Sequence, residues 1–64
     1  MKLPPLSFTL RDRAHAIEYV VYAYREITRQ ELLQAVAAYR STPAGTTIKR
    51  GQRVQIITSL GHAE

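Results

Sequence analysis

Cysteine is absent from this 64-residue chain, which excludes disulfides and thiolate metal sites. Glycine occurs three times, each in a separate stretch, so no glycine-rich phosphate loop can be assembled. The two histidines, His15 and His62, are far apart and the five carboxylates form no obvious pair. No catalytic constellation, metal site or cofactor is therefore expected. Asp12 and His15 stand one turn apart and read most simply as a helix start carrying a surface imidazole. No apolar run reaches the ~20 residues of a membrane span. The best, Tyr19 to Tyr24, is bounded by Glu18 and Arg25. Met1-Lys2-Leu3-Pro4-Pro5 has no apolar core of a secretory signal, and a cytoplasmic protein is expected.

What is present is a globular composition with a basic excess: 45% of residues are hydrophobic and 22% charged. A domain this small removes only roughly 60% of its unfolded surface from water, so self-association is the expected source of further burial. Nine Lys and Arg against five Asp and Glu give a net charge of +4 and a pI near 10.0, which favours polyanions as partners. Residues 1–40 carry six basic and four acidic groups and residues 41–64 three and one, so each part is net +2. Both parts are suited to touch a polyanion.

Leu6-Ser7-Phe8-Thr9-Leu10-Arg11 alternates apolar and polar residues, the period of a strand with one buried face. Pro4 and Pro5 precede it as at the start of an edge strand. From Ala14 to about Arg25 the residues Ala14, Ile17, Val21 and Tyr24 fall at helical spacing behind Asp12 as N-cap, and the spacing predicts a first helix. Its tyrosines Tyr19, Tyr22 and Tyr24 suit either an interface or the core. Thr28-Arg29-Gln30-Glu31 is a capping box with Ile27 and Leu32 as hydrophobic staple, and it predicts a second helix ending near Arg40. Beyond Ser41-Thr42-Pro43-Ala44-Gly45 the β-branched residues of Thr46–Lys49 and Gln52–Thr58, around Arg50-Gly51, read as either a hairpin or a flexible basic tail.

On this reading the strand has no partner within its own chain, since about thirty residues without another strand follow it. A second copy would supply one. The expected class is mainly α with a short N-terminal strand: an arm over residues 1–5, a strand-helix-helix dimerisation and DNA-binding domain over 6–40, and a C-terminal hairpin or tail over 41–64.

In that order of elements the chain resembles the ribbon-helix-helix repressors. Ser7-Phe8-Thr9-Leu10-Arg11 is similar to the family's recognition strand, and Thr28-Arg29-Gln30-Glu31-Leu32-Leu33 to the start of its second helix. The chain departs from the family between the helices, where Arg25-Glu26-Ile27 has neither Gly nor Asn. The resemblance implies a β-α-α homodimer whose shared two-stranded ribbon enters the major groove of double-stranded DNA. Ser7, Thr9 and Arg11 would then read bases, with Phe8 and Leu10 turned inward. Lys2, Thr28, Arg29 and Gln30 would hold phosphates, the last three at the positive end of a helix. Lys49, Arg50 and Arg53 would add contacts from the C-terminal segment.

The function so implied is transcriptional repression. An alternative is an antitoxin or another protein-interaction module, in which Ile48, Val54, Ile56 and Ile57 of the C-terminal segment fold onto a protein partner. Ile27-Thr28-Arg29 with its helix, followed by Ile48–Ile56, also resembles the HU family of architectural DNA-binding proteins. Within it, Lys49-Arg50-Gly51 with Val54 and Ile56 is similar to a KOW element.

Overall fold

The alternating segment forms a strand, β1 (Leu6–Asp12), and its partner lies in the same chain. The structure is a computed structural model and describes residues 3–62. Residues Ile17–Ala23, read from the sequence as part of a first helix, form β2, antiparallel to β1 with Phe8 opposite Val21 and Leu10 opposite Tyr19. Ile17, Val20 and Val21 are β-branched and Tyr19 and Tyr22 aromatic, side chains that pack on a pleated sheet better than they tolerate a helix. The near-continuous apolar run belongs to the central strand, which is shielded by α1 on one face and by side chains of the flanking strands on the other.

The turn between the strands carries the sequence features of a helix start. Asp12 Oδ1 accepts from the amides of Ala14 at 3.1 Å and His15 at 3.3 Å, the chemistry of a helix N-cap applied to a hairpin turn. Ala16 completes the turn at φ 55°, a left-handed conformation that no glycine advertises.

The capping box is formed as the sequence predicts. Glu31 N donates to Thr28 Oγ1 at 3.1 Å and Thr28 N to Glu31 Oε1 at 2.9 Å, starting α1 (Arg29–Arg40). After α1 the chain folds tightly, and a Cβ at Gly45 would collide with the Tyr39 carbonyl. Only a single 3-10 turn, Gly45–Thr47, occupies the first arm of the predicted hairpin. Gln52 to Thr58 contributes β3 (Arg53–Ile57), neither hairpin nor tail: it pairs parallel to β2, with α1 as the crossover that a parallel pair requires.

Over the described residues the chain is therefore a three-stranded mixed sheet, order β1-β2-β3, with one α-helix. The mainly α, β-α-α architecture implied by the ribbon-helix-helix resemblance is overturned, because the residues meant for its first helix complete the sheet. Helix α1 covers one sheet face through Leu32 and Val36, which meet Ile17, Tyr19, Val21, Val54 and Ile56. Phe8, Leu10, Ile27 and Ile48 pack around this core, half-buried.

Candidate nucleic-acid interface

The strand registers place the residues of the uncovered face in three rows. Arg11, Glu18 and Arg53 form one; Thr9, Val20 and Gln55 the next; Ser7, Tyr22 and Ile57 the third. The predicted base-reading residues Ser7, Thr9 and Arg11 thus emerge together on one side of β1, all exposed. They share that side with five residues the sequence reading did not place there: Glu18, Val20, Tyr22, Gln55 and Ile57. Val20 is nearly covered by its neighbours at 4% exposure, and Ile57 is 59% exposed.

The face is graded along the strands, with Tyr22 and Ile57 at one end and the arginines at the other. Glu18 sits between two guanidiniums, its Oε2 3.9 Å from Arg11 Nη2 and its Oε1 3.8 Å from Arg53 Nε. Both distances are long, and the arginine side chains remain 69% and 68% exposed, so each keeps donors for a ligand. A cleft of about 510 Å³ opens beside them, lined by Arg11, Arg13, Glu18, Gly51, Gln52 and Arg53.

Among the described residues Arg13 makes no ion pair. The loop carrying Lys49 and Arg50 is held against the β1–β2 turn, where Gly51 N donates to the Ala16 carbonyl at 2.9 Å and Arg50 Nη1 to that of Ala14 at 3.5 Å. Arg11 of β1, Arg13 of the β1–β2 turn, Arg50 of the loop held against that turn and Arg53 of β3 are therefore gathered at one end of the sheet. The chain matches no protein-family model, no curated protein and no solved structure.

The predicted phosphate site at the start of α1 is not part of this face. Thr28, Arg29 and Gln30 lie in the helical layer behind the sheet, and the first turn of α1 borders the β3 end at Ile57 and Thr58. The chain's own carboxylate occupies that helix end: Glu31 binds the Thr28 amide and takes a two-pronged contact from Arg25, at 3.1 and 2.7 Å. The Arg25 guanidinium, with the Thr28 amide second, holds the Glu31 carboxyl down to about 2 against its usual 4.5. Lys2 lies outside the described residues.

Asp12 and His15 do meet, Nδ1 to Oδ2 at 2.9 Å, with Arg40 Nη1 3.9 Å from the same oxygen. The His15 contact, ahead of the other causes, holds the Asp12 carboxyl below its ordinary value. This cluster fastens the hairpin turn to the end of α1. The signal that would have found Glu18 and Tyr22 is the density of β-branched and aromatic residues in Ile17–Ala23.

Proposed function

We propose that the chain binds double-stranded DNA through the open face of its sheet, with the arginine end on the phosphate backbone. The observation that carries this reading is the placement of Arg11 and Arg53, mostly exposed and bracketing a single carboxylate, with Arg13 lining the same cleft. Guanidiniums suit phosphate because their fork donates two parallel hydrogen bonds. From that anchor the middle row points Thr9 and Gln55 outward, and the third row Ser7. Gln can bind adenine through two bonds, Arg can do the same for guanine, and the hydroxyls tolerate several bases.

A duplex suits this face better than a single strand, which is held by bases stacked on several aromatic rings. Tyr22 is the one aromatic residue among the nine face positions. Repression or autoregulation at a short site would follow if these side chains discriminate bases.

The protein-interaction alternative draws less support. Of the four apolar residues that were to fold on a partner, Val54 and Ile56 are buried in the chain's own core and Ile48 packs against it. Only Ile57 stays exposed.

The test is binding of a random-sequence duplex, followed by anisotropy over a range of salt. Arg11→Ala together with Arg53→Ala is expected to weaken binding to all sequences and to flatten the salt dependence by roughly two units of slope. Equal affinity of the parent and the double variant would sink the proposal.

A further inference from the structure

The two edges of the sheet differ in how they are protected, and the hydrogen bonding of β2 fixes which backbone groups each edge exposes. Glu18 N donates to the Gln52 carbonyl and the Tyr22 carbonyl accepts from Thr58 N, so the even-numbered residues of β2 face β3. Backbone groups alternate sides along a strand. Ile17, Tyr19, Val21 and Ala23 therefore bond to β1, through their partners Asp12, Leu10, Phe8 and Leu6. The amides and carbonyls of Ser7, Thr9 and Arg11 point away from the sheet, and none has a backbone partner among the described residues.

At the other edge the connection through Ala44, Thr47 and Ile48 runs beside β3, with Tyr39, across a cleft of about 380 Å³. The cleft beside β1, of about 350 Å³, is bounded instead by Leu33, Ala37 and Arg40 of α1, and among the described residues no connecting segment runs along the outward backbone of this strand. No lysine, proline or glycine interrupts Leu6–Asp12, the devices that usually blunt an edge. The core is also thinnest on this side, where Phe8 and Leu10 are only half-buried and Leu33 of α1 stays 45% exposed.

We propose that this edge pairs with β1 of a second copy, antiparallel about a two-fold axis at Thr9. In that register Thr9 faces Thr9 of the second copy and Ser7 faces its Arg11, so three residue pairs exchange six backbone hydrogen bonds. Sliding by two residues one way sets Pro5, which has no N–H, opposite Arg11; sliding the other way sets Ser7 opposite Arg13, which lies in the turn. Either shift loses bonds. The favoured register also keeps the two Arg11 side chains apart, each beside a neutral serine.

The occupant is a second copy because the strand complements itself. Phe8 meets Leu10 of the other copy on the helix side, while hydroxyls and arginines meet on the open side. The result is one continuous six-stranded sheet, order β3-β2-β1-β1-β2-β3, to whose open face the second copy adds its own Ser7, Thr9 and Arg11. The pairing stands apart from the DNA reading and is measured without nucleic acid.

Sedimentation of the full chain at micromolar concentration is expected to give twice the 7.3 kDa mass of one copy. Thr9→Pro removes the central outward N–H without touching the bonds to β2. It is expected to raise the dissociation constant roughly 30-fold, from two lost hydrogen bonds per dimer. Two further variants serve should that one fail to fold, because the parent has no cysteine. Under mild oxidation Thr9→Cys is expected to cross-link, since paired Cα atoms about 5.5 Å apart lie within disulfide reach. Ser7→Cys would sit about 13 Å from its counterpart along the strand and should not. A monomeric parent, or Ser7→Cys cross-linking as readily as Thr9→Cys, would overturn the proposal.

Discussion

The same three strands make two sheet faces of opposite chemistry, and β2 is the strand that is mostly apolar toward both, with Glu18 its one charged residue. On the helix side it contributes Ile17, Tyr19 and Val21 to the core, and on the open side Val20 is almost as well covered. The outer strands divide more sharply: β1 turns Phe8 and Leu10 inward with Ser7, Thr9 and Arg11 outward, and β3 turns Val54 and Ile56 inward with Arg53 and Gln55 outward, Ile57 alone being apolar on the open side. A central strand is shielded by its neighbours whichever way it points. Alternation is therefore visible in the edges of a small sheet and erased in its middle.

The largest effect expected from this contrast is on stability. Tyr19 is 1% exposed at the centre of the covered face, and Tyr19→Ala should cost about 3 to 5 kcal/mol, much of the stability of a domain this size. Phe8 lies on the same face at the half-buried edge, and Phe8→Ala should cost roughly half as much. Thr9→Ala on the open face should stay within about 0.5 kcal/mol. Urea titration followed by circular dichroism ranks the three, and a Thr9 variant as damaging as the Tyr19 variant would break the distinction between the faces.

What the sequence made legible follows the range of the interactions involved. The capping box depends on four consecutive residues, and it formed as read at Thr28 and Glu31. The alternation of Leu6 to Arg11 is likewise local, so the residues on the open side of β1 could be named in advance. The second strand could not. Its spacing of Ile17, Val21 and Tyr24 fits a helix as well as a doubly covered strand, and Asp12 capping a turn looks the same in sequence as Asp12 capping a helix. Without β2 as a strand, β1 has no partner inside the chain, and its alternation alone points to a ribbon shared between chains in place of the hairpin that forms. The rows across the open face depend on pairings between residues as distant as Glu18 and Arg53, which no local pattern contains.

A smaller effect concerns how the covered face keeps its cover. Glu31 ties the start of α1 to Arg25, just beyond the end of β2, and its carboxyl titrates at about 2 in the folded chain against 4.5 ordinarily. Because the folded value is the lower one, the contribution of this group is complete above about pH 4.5 and is lost as pH falls toward 2. Thermal melts between neutral pH and pH 2 should therefore show a fall in Tm that Glu31→Gln reduces. Parent and variant with parallel pH profiles would mean that the clamp does not hold the helix to the sheet.

The smallest effect tests the other face by the same kind of substitution with the opposite outcome. Glu18 is also a carboxylate between cations, but its contacts at 3.9 and 3.8 Å are long and its arginines largely exposed, so the pairs should add little to stability. Its charge instead opposes the phosphate proposed for that row. Glu18→Gln should leave Tm close to that of the parent while raising affinity for a random-sequence duplex about three- to tenfold at low salt, with the gain shrinking as salt screens the added positive charge. If affinity is unchanged, the duplex does not lie over the row of Arg11, Glu18 and Arg53. A fall in affinity would instead assign Glu18 to holding the two guanidiniums in place, and Glu18→Asp would then be expected to restore part of the binding that Glu18→Gln loses.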